Sequence, residues 1–291
     1  MRSSATRRVL LLVALCLAWS VAATAGPFRF ELEAATPATY ARPHDIVLSP
    51  DGESLFVADN HNHRIAVLDP RTLAERGTFG EGEVREPHDV AFDPDGRLLV
   101  ADTGNDRIAI YEVDGATGRL VDELRGRLRR PEGVAAHPDG RVFATGAASG
   151  NLVVYRDGAV VGETGGLSAP HDVAFDADGA AWIADAGNHR MVRVDAAYAI
   201  DRILEGERYG FAGPRYQDFD AAGRMFVADK YNHAIKVIAP DGTLLQVLGG
   251  ARGLGEGVFN QPEGVEIRGD QVWFADTYND RIVRYRVAGP R

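Results

Sequence analysis

One pattern recurs six times along the chain and leaves few folds open to it. Each copy runs proline, a short apolar strand, Asp-x-x-Gly, a second strand ending Ala-Asp, then Asn-x-Arg and a third strand, with local departures. The prolines that open the copies are Pro43, Pro87, Pro131, Pro170, Pro214 and Pro262, at intervals of 44, 44, 39, 44 and 48 residues. That period is the length of a four-stranded propeller blade.

The second copy shows how the local chemistry divides it. Residues 90–93 suit a strand, Pro94-Asp95-Gly96 a turn, 98–101 a buried strand, Asp102-Thr103-Gly104-Asn105 a second turn, and 108–111 an alternating strand. Segments such as 120–124 and 244–248 supply a fourth, outer strand. A lone blade leaves both faces bare, so six are expected to pack side by side in a closed, all-β, six-bladed β-propeller. The sixth copy ends after its third strand, 282–287, while an orphan strand-like piece, 28–32, precedes the first. The N-terminal strand is therefore expected to complete the last blade and remove an open edge.

Residues 1–25 read as an export signal, with Arg2, Arg7 and Arg8, an apolar run at 9–19, and Ala23-Thr24-Ala25 as the cleavage site. The Arg7-Arg8 pair also suits twin-arginine export. Cleavage leaves one domain, 26–291, secreted or periplasmic and free of the membrane. It would hold no cysteine, because Cys16 is the only one, so stability must come from packing. With 32 Lys and Arg against 42 Asp and Glu, the formal net charge of −10 argues against nucleic acid or anionic lipid as partner. The 33 glycines and 14 prolines are scattered, as many turns require.

Val57-Ala58-Asp59 through His63-Arg64-Ile65, Val100-Ala101-Asp102 through Asn105-Asp106-Arg107-Ile108, and Ala184-Asp185 through Asn188-His189-Arg190 resemble NHL repeats. The resemblance spans essentially the whole mature chain and implies a six-bladed propeller. That family includes enzymes, scaffolds and ligand binders, so function has to be argued from the site. The third copy departs from the pattern with Gly146 and Asn151, which predicts a looser loop, and the fifth has Ala234 at the arginine position. The Asp, Asn and Arg residues read as structural, with Asp tying loop amides and Arg reaching a nearby carboxylate or carbonyl.

The innermost strand of each blade begins beside the axis, just after the proline. Around the ring that position reads His44, His88, Glu132, His171, Arg215 and Glu263. Histidine nitrogens and carboxylate oxygens are the usual ligands of zinc and similar ions. Blades two, four and six offer His88, His171 and Glu263 as a near-threefold set, and His44 and Glu132 are further metal candidates. The plainer alternative is a polar step copied with the repeat at a wet channel mouth. Each axial histidine is followed by an aspartate, Asp45, Asp89 or Asp172, as copying would produce. His63, His137, His189 and His233 read as surface residues.

Two residues past the Ala-Asp step the loops carry His61, Gly104, Ala148, Gly187, Tyr231 and Tyr278 on that same face. Tyr231, Tyr278 and the nearby Tyr216 suit either substrate stacking, a general base beside a metal, or packing between blades. The Pro-His steps resemble those of the peptidyl-hydroxyglycine alpha-amidating lyase family. That resemblance implies an axial zinc, Tyr231 or Tyr278 as base, and Arg215 on the substrate carboxylate. It also implies a calcium ion lower in the channel, held by aspartates such as Asp89 or Asp172 and by backbone carbonyls. Two features depart from that family: the histidines come from blades one, two and four, and disulfides are absent.

Three functional readings follow. The first is a zinc-dependent lyase or hydrolase acting on a small carboxylate-bearing molecule. The second is a non-catalytic propeller that takes a peptide, glycan or protein at its top face. The third is a lactonase-like propeller using calcium with Glu263 or Glu132. A Gly-x-x-x-x-Gly-Lys phosphate loop and a Gly-x-Ser-x-Gly elbow are both missing from the sequence, which speaks against nucleotide chemistry.

Overall fold

The computed structural model describes residues 27–289, so the expected export signal lies outside the described residues. Twenty-four strands form six four-stranded antiparallel sheets. In blade 2 the strands are Pro87–Phe92, Leu98–Asp102, Arg107–Asp114 and Thr117–Leu124, running from the axis outward. The other blades repeat that order. Their innermost strands touch in sequence, and the first, Pro43–Leu48, meets the last, Val265–Arg268, to close the ring.

The second strand of each blade is buried on both faces, as between Leu55 and Asp59 or Leu98 and Asp102, because neighbouring blades cover both sides. The apolar core is accordingly six clusters, each lying between two adjacent blades. Phe226, Ile235 and Val237 of blade 5 pack on Val265, Phe274 and Tyr285 of blade 6. Trp182 and Met191 of blade 4 pack on Met225 and Val227 of blade 5. Each large side chain so buried contributes about 1.5–3 kcal/mol.

Closure follows the sequence expectation. Arg29–Ala35 pairs antiparallel with Arg281–Ala288, from Arg29 opposite Ala288 to Ala35 opposite Val283, as the outer strand of the last blade. Gln246 of blade 5 clamps its start, its Oε1 accepting from Phe28 N at 2.8 Å and its Nε2 donating to Phe28 O at 3.0 Å.

The Asp-Asn-Arg residues are the joints of this frame. Asp59 is fully buried and accepts from Ala41 N, Asn62 Nδ2 and Arg64 Nε at 2.8, 2.8 and 2.7 Å. Asp102, Asp185 and Asp276 make the same three bonds. In blade 5 Lys236 replaces the missing arginine, its Nζ 2.5 Å from Asp229 Oδ2. Blade 3 lacks the aspartate, and its loop forms no 3-10 turn. Ser149 and Asn151 hydrogen-bond to each other there instead, at 2.6 Å.

Three histidines expected to be surface residues do more than that. His63, His189 and His233 adopt left-handed backbone at the ends of their 3-10 turns. Each Nδ1 accepts an amide hydrogen of the next blade, from Glu86, Gly213 and Gln261 at 3.0, 2.9 and 3.1 Å. Asp106 and Asp280 do the same for Arg130 and Arg42. A short acceptor side chain that tolerates positive φ is what this staple needs.

Candidate functional site

The turn from blade to blade ends in a left-handed residue just before each proline, for example Arg42 and Glu86, and this aims the next side chain at the axis. His44, His88, Glu132 and His171 are each at most 9% exposed, and Glu263 is fully buried. The imidazole centroids of His44 and His88 lie 4.3 Å apart, those of His88 and His171 5.9 Å, and those of His44 and His171 6.4 Å. The ring read from the sequence is therefore brought together.

Its members are paired with one another. Glu132 Oε2 stands 2.9 Å from His171 Nε2, and Glu132 Oε1 stands 3.9 Å from His88 Nε2. Glu263 Oε2 stands 3.3 Å from His44 Nδ1, and its Oε1 meets Lys230 Nζ at 2.6 Å. The expected set of His88, His171 and Glu263 gives way to a cluster of three imidazoles, with Glu263 turned to Lys230 and His44.

Protonation follows from this environment. Burial pushes His44 well below the usual imidazole value, and burial together with nearby Arg215 lowers His171 to about 4. Burial opposes ionisation of Glu132, but His171, His88 and Arg215 outweigh it and hold the carboxyl low. His44, Lys230 and Arg215 do the same for Glu263. At neutral pH the mouth therefore carries ionised Glu132 and Glu263 beside the neutral imidazoles of His44 and His171.

The tautomer of His88 is fixed by its neighbours. Its Nδ1 lies 2.9 Å from Glu86 O, which can only accept, and 2.8 Å from Thr103 Oγ. The Thr103 hydroxyl donates to Pro131 O at 2.5 Å, so towards His88 it accepts. Asn60 Nδ2, a donor that also reaches Pro87 O at 3.0 Å, stands 3.1 Å from the same nitrogen. Two acceptors at 2.8 and 2.9 Å outweigh that one longer contact, so Nδ1 bears the hydrogen. Nε2, the nitrogen facing Glu132, keeps a bare lone pair.

Cations and aromatic rings form one wall of the mouth. Arg42 stacks 3.4 Å over the Tyr278 ring, and Lys230 Nζ lies 5.1 Å from that ring and 5.6 Å from Tyr231. Arg215 donates to Tyr231 Oη at 3.2 Å. Tyr231 is 53% exposed and Tyr278 37%, so both expected tyrosines do line the open face. Several buried polar atoms here lack a hydrogen-bond partner, namely Arg42 Nη1, Arg215 Nε and His171 Nδ1. Buried groups left in that state mark a place prepared for something else.

Tyr216 is a different matter. Its side chain is buried, and its hydroxyl reaches from blade 5 to His88 O at 2.9 Å and Glu132 O at 3.0 Å in blades 2 and 3. Burial raises its hydroxyl well above the usual tyrosine value. It is the floor of the mouth, not a stacking surface or a base. Below it sit the aspartates that follow the histidines. Burial and then the charge of Asp89 hold Asp45 and Asp172 well above the usual carboxylate range, and burial raises Asp89 to about 6.

Lys230, Thr103 and Arg42 were not singled out from sequence. Reading one residue past the Ala-Asp step, in place of two, gives Asn60, Thr103, Ala147, Ala186, Lys230 and Thr277, and the buried lysine stands out.

Three imidazoles of this kind suit zinc as donors, yet they do not converge as arranged. Among the described residues no three His, Cys, Asp or Glu side chains stand where they could hold one ion. His171 Nε2 is turned to Glu132 and Glu263 to Lys230.

Comparison with known proteins fits this architecture. The NHL repeat model matches residues 40–68, 85–111 and 167–193, the three units that carry His44, His88 and His171. The chain carries NHL repeats in these three units and folds as a six-bladed β-propeller. No curated protein matches it. Among solved structures it resembles virginiamycin B lyase from Staphylococcus aureus, at 13% identity and a TM-score of 0.64, over 89% of this chain and 99% of that one. An auxiliary nutrient binding protein from Bacteroides ovatus aligns at 14% identity and a TM-score of 0.71, over 90% and 77%. Kuenenia stuttgartiensis hydrazine synthase aligns at 18% and 0.60, over 82% and 75%. At these identities the likeness is one of fold. Among the described residues no helix is long and apolar enough to cross a membrane.

Proposed function

We propose that this is an exported NHL-repeat propeller whose axial mouth binds a small carboxylate-bearing molecule and acts on it by proton transfer, as a lyase. The observation that carries this reading is His88, a buried imidazole whose Nδ1–H is held by Glu86 and Thr103 and whose bare Nε2 faces the mouth. Lys230 and Arg215 supply positive charge for the substrate carboxylate, and Tyr231 and Tyr278 wall it. The hydroxyl proton of an α-hydroxy acid passes to His88 Nε2, its oxygen forms a carbonyl as the neighbouring C–N bond breaks, and the leaving amide nitrogen takes the proton back, with the cations lowering the cost of the charge that develops. Glu132 holds His171 by its Nε2. Two supports come from outside the chain's own geometry. A histidine-to-alanine variant of the Staphylococcus aureus lyase is catalytically inactive. Export rests on the arginine, apolar and Ala-Thr-Ala succession in residues 1–25.

A second reading is favoured by the closeness of His44, His88 and His171, two of them held neutral. His171 would first have to turn from Glu132 before the three could hold a zinc ion, which supplies Lewis-acid chemistry when bound.

The test is turnover of α-hydroxyhippurate, a small N-acylated hydroxy acid, to benzamide and glyoxylate. Turnover that survives chelation and falls about 10²-fold or more in His88→Ala supports the lyase. Activity abolished by chelator and restored by zinc supports the second reading. Binding of hippurate without turnover of the hydroxy acid overturns both and makes the mouth a receptor.

A further inference from the structure

Below the Tyr216 floor the channel widens into a cavity of about 570 Å³, open at the bottom face. Asp45, Asp89, Asp93, Asp172, Asp218 and Glu266 line it, from blades 1, 2, 4, 5 and 6, against a single lining cation, Arg268, while Asp93 is paired outside the lining with Arg97 at 2.7 Å. Arg268 lies on the rim, 4.0 Å from Glu266. The carboxylates also brace the inner strands. Asp89 accepts from Val134 N at 2.5 Å, Asp172 from Gln217 N at 2.8 Å, and Asp218 from Ile267 N at 2.7 Å. A carboxylate has about four lone-pair sites, so these bonds leave acceptors over.

A second feature points to a ligand. Gln217 lines the same cavity and is 3% exposed. Its Nε2 donates to Trp182 O at 3.0 Å, while its Oε1 has no partner. An amide oxygen held from water without a donor is a cost that a donor-rich ligand would remove.

We propose that this lower cavity binds a linear polyamine. Burial and like charge hold the carboxyl groups of Asp45, Asp172, Asp218 and Glu266 above their usual range, a cost that separated ammonium groups spread over these blades would relieve, and the ammonium N–H groups are the donors that Gln217 and the spare lone pairs lack. The volume falls in the range of small-molecule sites. A single bare cation fits less well. Calcium takes about six to eight oxygens close around it, and no three His, Cys, Asp or Glu among the described residues gather that way.

The experiment is calorimetric titration of the mature chain with spermidine at low ionic strength. Saturable binding of one spermidine per chain is expected, about ten-fold weaker or worse in Asp172→Asn and in Asp218→Asn. The second variant lies nearer the opening and guards against a folding defect in the first. Arg268→Ala, which removes the opposing charge, should bind more tightly, and Asp157→Asn, on the exposed outside, should bind as the parent does. No saturable heat, equal weakening in Asp157→Asn, or displacement of spermidine by equimolar calcium would overturn the proposal.

Discussion

At the scale of single residues the account turns on how neighbours set the state of each axial group. Thr103 is buried and fixes the His88 tautomer through one oxygen, so Thr103→Val should lower turnover of α-hydroxyhippurate while leaving the fold intact. Rates unchanged in that variant, with circular dichroism also unchanged, would remove Thr103 from this role. Tyr216→Phe loses the bond to the opposite blades and should cost about 1–2 kcal/mol in denaturant unfolding. His171 gives a pH signature. Its imidazole is lowered from 6.5 to about 4, chiefly by burial and then by Arg215. Between those values the unfolded chain binds a proton that the folded chain does not. The stabilisation is full above 6.5 and is lost as pH falls to 4. Thermal scans should therefore show wild type losing stability in that window more steeply than His171→Asn. The buried aspartates pull the other way, and because both proteins contain them their effect cancels. Parallel curves would contradict the assignment.

Strands and loops carry the next set of consequences. Asp185→Ala strips a buried carboxylate from Ser168 N, Asn188 and Arg190, and should cost about 2–4 kcal/mol. Gly146→Asp in blade 3 should gain nothing comparable, because Ser149 Oγ already fills that space, 2.1 Å from where a Cβ would stand. Equilibrium unfolding of the two variants checks both statements. The blade pattern was legible because proline, Asp-x-x-Gly and Asn-x-Arg recur at fixed offsets, and the closing strand was legible because the last copy ran out of chain. The six axial residues followed from the same spacing. Their pairing did not follow from it. Spacing fixes where a Cα lies, whereas the turn of Glu263 towards Lys230, or the reach of Tyr216 across the channel, depends on side-chain length and rotamer. His63, His189 and His233 were read as surface because their inter-blade bonds are made to backbone amides, which leave no mark in sequence.

For the whole molecule, the ring stacks two chambers on one axis and separates them by Tyr216. The upper holds neutral imidazoles, paired carboxylates and a cationic, aromatic wall. The lower is lined by six acidic side chains. The upper rim is uneven, with Tyr231 and Tyr278 standing over blades 5 and 6 and Gly104, Ala148 and Gly187 leaving it low over blades 2 to 4. Both glycines are forced, since a Cβ at Gly104 or Gly187 would fall 2.8 or 2.7 Å from the carbonyl of Arg85 or Ser168. The proposed carboxylate would enter over the low side and anchor on the high side. The central claim, that the upper mouth receives a carboxylate beside a bare His88 Nε2, is tested most directly by NMR of the mature chain with nitrogen-15 histidine, titrated with hippurate. The Nδ1–H tautomer at His88 in the free protein and saturable shifts at His44, His88 and His171 are expected. A His88 protonated on Nε2, or imidazole signals that ignore hippurate, would contradict that claim.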